Sequence, residues 1–178
     1  MHVLLINGSP HEKGCTYTAL SLVAGELNAA GITTEILNVG TKPVGGCIGC
    51  GGCAKGNGCV FGGVVNEAIE KARTADAFVF GTPVHYASAS GGRAGTTATL
   101  DQLAKYPEFF HMPLVSGSYW PMVHGSNPEQ VLQDEEGCAV MKELGRNMAW
   151  LLQCIEAGKA AGISHPENPR RPMTNFIR

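Results

Sequence analysis

Apolar positions follow two rhythms along the chain. His2–Ile6 is an apolar run of strand length ending at Asn7-Gly8. Leu20, Val23, Leu27 and Ala30 then recur at helical spacing, which predicts a helix from Thr16 to about Ala30, stopped by Gly31. Thr33–Val39 is rich in β-branched residues and reads as a second strand. From Val64 to about Thr74, a short helix would turn Val65, Ala68, Ile69 and Ala72 inward. Ala77–Phe80 reads as a third strand closed by Gly81-Thr82-Pro83, Thr97–Tyr106 as a helix, and Met112–Ser116 as a further strand. Ser126 with Pro128 and Glu129 predicts a helical turn opened by a capping box. A long helix follows from about Asp134 to Ala161, with Cys138, Met141, Leu144, Met148, Leu151 and Ile155 on one face. Pro166, Pro169 and Pro172 make the tail irregular, so the expected organisation is one domain over residues 1–163 and a tail over 164–178.

Strands alternating with helices predict an α/β fold, a doubly wound parallel sheet in three layers. Ligands of such sheets bind beyond the carboxyl ends of the strands. That edge would gather residues 7–18, 82–90 and 116–126, and also the loop after the second strand. The strand count falls short, however. Between Phe80 and Met112 there is room for one helix only, and Ser90-Gly91-Gly92-Arg93 is abrupt. A segment near Gly91–Arg93, carrying a helix and a strand, is therefore expected to be missing.

Composition narrows the function. With 178 residues, 44% hydrophobic and 16% charged, the chain can bury a substantial core. A formal net charge of −2 argues against nucleic acid as a main partner, because phosphate neutralisation needs a basic surface. No apolar run is long enough to cross a bilayer. No export signal precedes the first strand, which makes the cytoplasm the expected compartment.

In a reducing compartment, seven cysteines point to metal, redox chemistry or burial rather than to a disulfide framework. Four of them, Cys47, Cys50, Cys53 and Cys59, lie in the stretch GGCIGCGGCAKGNGCVFGG after the second strand. Thiols at every third position with a fourth close behind can hold an iron–sulfur cluster, and the surrounding glycines let the backbone wrap tightly and aim amides at sulfur. Zinc sites more often come as separated C-x2-C pairs. A Gly-rich loop of free thiols is the remaining alternative, and Val60 stands where bacterial-type ferredoxins carry proline.

The first strand leads into Gly8-Ser9-Pro10-His11-Glu12-Lys13-Gly14-Cys15-Thr16-Tyr17-Thr18 and then into a helix. A helix N-terminus offers unpaired N–H groups and a positive dipole end, and the hydroxyls of Ser9, Thr16 and Thr18 add donors. The segment matches neither the nucleoside-triphosphate loop nor G-x-G-x-x-G. What remains is a mononucleotide phosphate, or an ordinary capped turn. The second loop, Gly81–Ser88, offers Pro83, Val84, His85 and Tyr86 as a border for a flat heterocycle.

Together GSPHEKGCTYT at 8–18, CIGCGGC with Cys59 at 47–59, GTPVHYASASG at 81–91 and RAGTTATLDQL at 93–103 resemble the NADPH-dependent FMN reductase family of the flavodoxin-like superfamily. More narrowly, they resemble its iron–sulfur flavoprotein branch. The resemblance implies a flavodoxin-like sheet and a homodimer or homotetramer. It places FMN phosphate on Ser9, Pro10, Cys15, Thr16, Tyr17 and Thr18, the flavin ring against Pro83, Val84, His85 and Tyr86, and a further FMN edge at Gly95, Thr96 and Thr97. Cys47, Cys50, Cys53 and Cys59 would be the ligands of a [4Fe–4S] cluster. Gly62-Gly63 replaces acidic residues common in relatives after the fourth cysteine.

The implied activity is NAD(P)H-dependent reduction of FMN, with electrons passed to a small-molecule or protein acceptor and no side chain required as acid or base. The alternative is an electron carrier between redox proteins with no substrate of its own. Cys138 and Cys154 read as packing residues. Cys15 reads as a phosphate-loop residue acting through its backbone N–H, and residues 170–178 as a clamp on a partner subunit.

Overall fold

The central strand of the sheet is the first in the chain. In the computed structural model, which describes residues 1–85, 88–89 and 96–169 (backbone only at 85, 88, 89, 96 and 97), β1 (His2–Asn7) pairs in parallel with two neighbours. On one side lies β2 (Thr33–Asn38), with His2 opposite Thr33 and Asn7 opposite Asn38. On the other lies β3 (Ala77–Gly81), with Val3 opposite Ala77 and Asn7 opposite Gly81. The order is β2-β1-β3, and the crossovers are α1 (Cys15–Ala29) and α2 (Val64–Ala72). Val3, Leu4 and Leu5 are fully buried, as expected of a strand covered on both faces.

One layer is α1 with α5 (Glu135–Ala160). Leu20, Val23, Ala24 and Leu27 of α1 meet Val140, Met141, Met148, Ala149 and Leu152 of α5 in one core with Val3, Leu5 and Val79. Gly145 permits the close crossing, because a Cβ there would stand 2.8 Å from the Val23 carbonyl oxygen. Arg146 pairs with Glu26 across it at 3.3 Å. Gly31, at φ +77°, ends α1 as the sequence predicts, and the Ile32 amide returns to the Leu27 carbonyl at 3.0 Å. On the opposite face of the sheet lie α2 and the end of α3 (Thr96–Phe109), which line an apolar trench with Leu4, Ile6, Phe78 and Phe80.

Several expectations are corrected. Met112–Ser116 forms no strand: β3 is the last strand of the three-stranded sheet, and among the described residues this segment has no neighbour to ladder with. Strand identity depends on a partner, and the partner expected between β3 and residue 112 is absent among the described residues. The expected missing segment itself, near Gly91–Arg93, lies outside the described residues. The predicted loop after β3 contains a small antiparallel hairpin, β4 (Val84–His85) with β5 (Ser88–Ala89). α3 runs three residues past Tyr106, through Pro107, before His111 at φ +59° ends it. α4 (Pro128–Gln133) is capped by Asn127, one residue after the predicted Ser126; Asn127 accepts from the Gln130 amide at 2.8 Å.

The buried face of α5 also departs from the prediction at its far end. Leu152 is buried, whereas Ile155 and Cys154 are exposed. α1 ends at Ala29, so the last turns of α5 run past the helix they pack on. Cys138 is buried as expected, its thiol donating to the Val131 carbonyl at 3.1 Å. No described helix is long and apolar enough to cross a membrane.

Candidate functional site

The loop after β1 is built around a residue that the sequence reading passed over. Asn7 is fully buried at the end of the central strand. Its Oδ1 accepts from the Ser9 amide at 3.0 Å, and its Nδ2 donates to the Glu12 carbonyl at 3.2 Å, so one side chain holds both limbs of the loop. The Ser9 Oγ accepts from the His11 amide at 3.1 Å. The Gly8 amide donates to the Gly81 carbonyl at 2.8 Å, tying this loop to the end of β3. Gly81 must lack a side chain, because a Cβ would stand 2.9 Å from Leu20 Cγ.

Helix α1 then starts at Cys15 behind Gly14, which provides no side-chain cap, and its first turn carries no acidic residue. Its first amides and the positive dipole end are therefore left for a ligand, and an anion is the group they suit. The flavin phosphate implied by the sequence fits this donor set. Cys15, Thr16, Tyr17 and Thr18 are half-buried along the first turn, Ser9 is buried and Pro10 is exposed. Thr18 Oγ1 donates to the Gly14 carbonyl at 3.2 Å, and Ser21 Oγ to the Tyr17 carbonyl at 2.8 Å.

Pro83 and Val84 are half-buried where β3 gives way to the hairpin, beside the first loop through the Gly8–Gly81 bond. His85 is described only as backbone within β4, and Thr96 and Thr97 only as the first turn of α3. Tyr86 and Gly95 lie outside the described residues.

The third loop, residues 116–126, reaches the same edge: the Cys15 thiol stands 3.5 Å from the Gly125 carbonyl. Three side chains of or beside α5 fix it. Asn147 Nδ2 donates to the Ser116 carbonyl at 2.8 Å. Glu143 Oε2 accepts from the Ser118 amide at 3.0 Å and the Ser118 hydroxyl at 2.5 Å, which hold its carboxyl below the usual range. Asp134 caps α5 by accepting from the Gly137 amide at 3.0 Å, and its other oxygen accepts from the His124 amide at 2.7 Å. These two amides, Gly137 first, lower its carboxyl pKa.

The cysteine loop leaves the end of β2, where the Val39 amide bonds the Asn7 carbonyl at 2.9 Å. Cys47, Cys50 and Cys53 are exposed and Cys59 is half-buried. The Gly49 amide donates to Cys47 Sγ at 3.4 Å, and Cys53–Lys55 forms a single 3-10 turn closed by Gly56 at φ +83°. Cys59 is clamped by α2: Asn66 Oδ1 accepts from its amide at 2.6 Å and Asn66 Nδ2 donates to its carbonyl at 3.2 Å. Gly58 makes room, since a Cβ there would lie 2.9 Å from Asn66 Oδ1, and its φ is +70°. Among the described residues no three Cys, His, Asp or Glu side chains converge as a metal-holding group. In donor chemistry the loop fits a cluster, with four thiols, an amide already turned to sulfur and one fixed ligand position, although the four sulfurs are not drawn together.

Along 88% of this chain and the whole of the relative, the sequence is 24% identical to an iron–sulfur flavoprotein of Methanocaldococcus jannaschii. That alignment spans 193 positions, more than the chain has residues, so part of the relative has no counterpart here. An iron–sulfur flavoprotein of Archaeoglobus fulgidus is 34% identical over 91 residues, about half of this chain and 44% of that one. In fold, the chain is similar to a crystal structure of RosB with bound 8-demethyl-8-formylriboflavin-5'-phosphate, at a TM-score of 0.54 and 13% identity over 100% of this chain and 95% of that one. The sequence model of the NADPH-dependent FMN reductases matches residues 1–146, and the chain belongs to that family.

Proposed function

We propose that the protein binds FMN at the carboxyl edge of its sheet, reduces it with NAD(P)H, and passes the electrons on through a [4Fe–4S] cluster held by Cys47, Cys50, Cys53 and Cys59. The observation that carries this reading is one of placement. The uncapped N-terminus of α1, held by Asn7, and the cysteine loop, held by Asn66, follow the adjacent strands β1 and β2 at the same end of the sheet. Bound FMN supplies hydride acceptance and single-electron release. The chain's part is to bind and orient. The amides of Cys15, Thr16 and Tyr17 would take the phosphate, with Ser9 and Thr16 hydroxyls beside them. Pro83 and Val84 would border the ring. Asn66 would fix the one cysteine from which the other three reach.

The test is an anaerobic absorption spectrum of the purified protein with iron and sulfide assays. Flavin bands, a broad shoulder near ~400 nm and about four irons per chain are expected of a cluster on four cysteines. Flavin without iron would leave a plain FMN reductase and sink the cluster. A second reading, an electron carrier between redox proteins, is favoured by the relatives described as iron–sulfur flavoproteins. Steady-state oxidation of NAD(P)H with a small acceptor separates the two: turnover supports the enzyme, and its absence in flavin-loaded protein supports the carrier.

A further inference from the structure

Two aromatic rings stand uncovered on the loop that reaches the proposed flavin site. Tyr119 and Trp120 are 48% and 49% exposed, with ring centroids 5.0 Å apart and planes tilted by 48°. They belong to the loop whose Gly125 carbonyl meets the Cys15 thiol at the start of α1. Single exposed apolar side chains are ordinary. A Tyr and a Trp held ring to ring are the residue types that recognition sites use most.

The backbone beneath the rings is fixed on both sides. Val115 and Val123 pack against the core. Before the rings, Asn147 holds the Ser116 carbonyl, and Glu143 accepts from the amide and hydroxyl of Ser118. After them, the Met122 carbonyl lies so close to α5 that a Cβ on Gly137 would stand 2.9 Å from it, and the His124 amide donates to Asp134. Gly125 presses on α4, where a Cβ would come within 2.7 Å of the Val131 amide nitrogen. Between these anchors remain Tyr119, Trp120 and Pro121, and the proline ring fixes its own φ. Rings presented on a backbone already ordered by folding bind with little further entropy cost.

The charge along the loop selects the ligand. From Met112 to Pro128 the chain carries no Asp, Glu, Lys or Arg. The histidine in this stretch nearest the rings, His124, faces the Asp134 carboxylate at 3.3 Å. Glu143 and Asp134, the carboxylates that reach the loop from α5 and its cap, are engaged by its backbone. The loop therefore offers no cation to the diphosphate of a pyridine dinucleotide and no free anion to a cationic ligand. It offers aromatic surface, which favours planar rings through stacking. We propose that Tyr119 and Trp120 determine which small-molecule acceptor the protein takes, by stacking on a planar, uncharged one of the quinone class. The proposal rests on the FMN reading above and assigns the acceptor's hold to this pair.

The chain has 2 tryptophans, which makes the test direct. In flavin-loaded protein with isotope-labelled indoles, each tryptophan gives its own N–H signal in a nuclear magnetic resonance spectrum. Trp150→Phe, at an exposed position on α5, identifies the signal of Trp120. The probe is duroquinone, whose fully methylated ring resists addition to the free thiols. Without NAD(P)H, duroquinone should shift the Trp120 signal saturably and leave that of Trp150 in place, and NADP⁺ should not reproduce the shift. Tyr119→Leu and Trp120→Leu should each raise the dissociation constant of duroquinone roughly 10-fold in equilibrium dialysis. Three results in protein that holds FMN would overturn the proposal alone: a Trp120 signal indifferent to duroquinone, one moved by NADP⁺ instead, or one already moved by protein concentration because a second copy covers the rings. Protein that takes up no FMN, read from its absorption spectrum, would overturn the FMN reading and this proposal with it.

Discussion

Gly58 and Asn66 depend on each other. The amide side chain of Asn66 can grip both the N–H and the C=O of Cys59 only because the preceding residue has no Cβ. A Gly58→Ala substitution must both adopt a left-handed backbone and push Asn66 away, at a cost of about 1–3 kcal/mol. Urea denaturation should show that loss, and under the proposed cluster the iron retained per chain should fall with it. Asn66→Asp keeps the acceptor and loses the donor, so it should retain more iron than Asn66→Ala. Asn66 was not legible beforehand, because an Asn two residues into an amphipathic helix carries no motif. Nor was Asn7, which reads as ordinary turn chemistry beside Gly8. Glycines and cysteines announce themselves in a sequence. The amides that hold them are recognisable only once the loop has closed on them.

Asp134 makes a pH-dependent prediction at the same scale. Its folded-state pKa lies below the ordinary value, chiefly through the Gly137 amide and then through His124. A carboxylate of this kind stabilises the fold above its unfolded pKa of about 4, and the stabilisation disappears as pH falls through the lower folded value. Asp134→Ala should therefore cost about 1 kcal/mol near neutrality, as loss of an N-cap does. The gap between its urea midpoint and that of the wild type should close as the buffer is made acid. A gap that stays constant into acid would show that the carboxylate charge does not contribute.

Among the elements, α5 reaches furthest. Its inner face packs on α1, its Glu143 and Asn147 hold the loop over residues 116–118, and its cap Asp134 holds His124. Gly145→Ala would place a methyl group against the Val23 carbonyl and the Glu26 side chain. Separating the helices should cost about 1–3 kcal/mol. Because the loop at Gly125 reaches Cys15, the same variant should also weaken FMN retention, measured as flavin released on dilution. Helices and strands with a strong period were legible here to within a few residues, β1, α1, β2, α2, β3 and α5 among them. Met112–Ser116 was not. Its short apolar run, Met112 to Val115, reads as a strand, yet pattern cannot supply the neighbour that a strand needs. The end of α5 failed for a related reason: Ile155 continues the apolar stripe, but α1 has already stopped beneath it.

At the scale of the whole molecule, the fold class and the edge that carries the site followed from alternating strands and helices, and the shortage of strands was countable in advance. What the count could not show was where the shortage would leave apolar surface. That depends on which face β3, α2 and α3 present, a matter of packing rather than of local pattern. The covering of α1 by α5 also has a consequence in time. All three strands of the parallel sheet and the loop over Asn7 are complete once residue 81 has been made, whereas α5 finishes at residue 160. At the usual speed of synthesis, roughly 5–20 residues each second, the outer side of α1 waits several seconds for its partner. For that interval the stretch of α1 at Val23 and Glu26, which Gly145 of α5 later meets, faces the ribosome's surroundings. A nascent chain arrested between the two points should bind a chaperone that releases it when translation resumes.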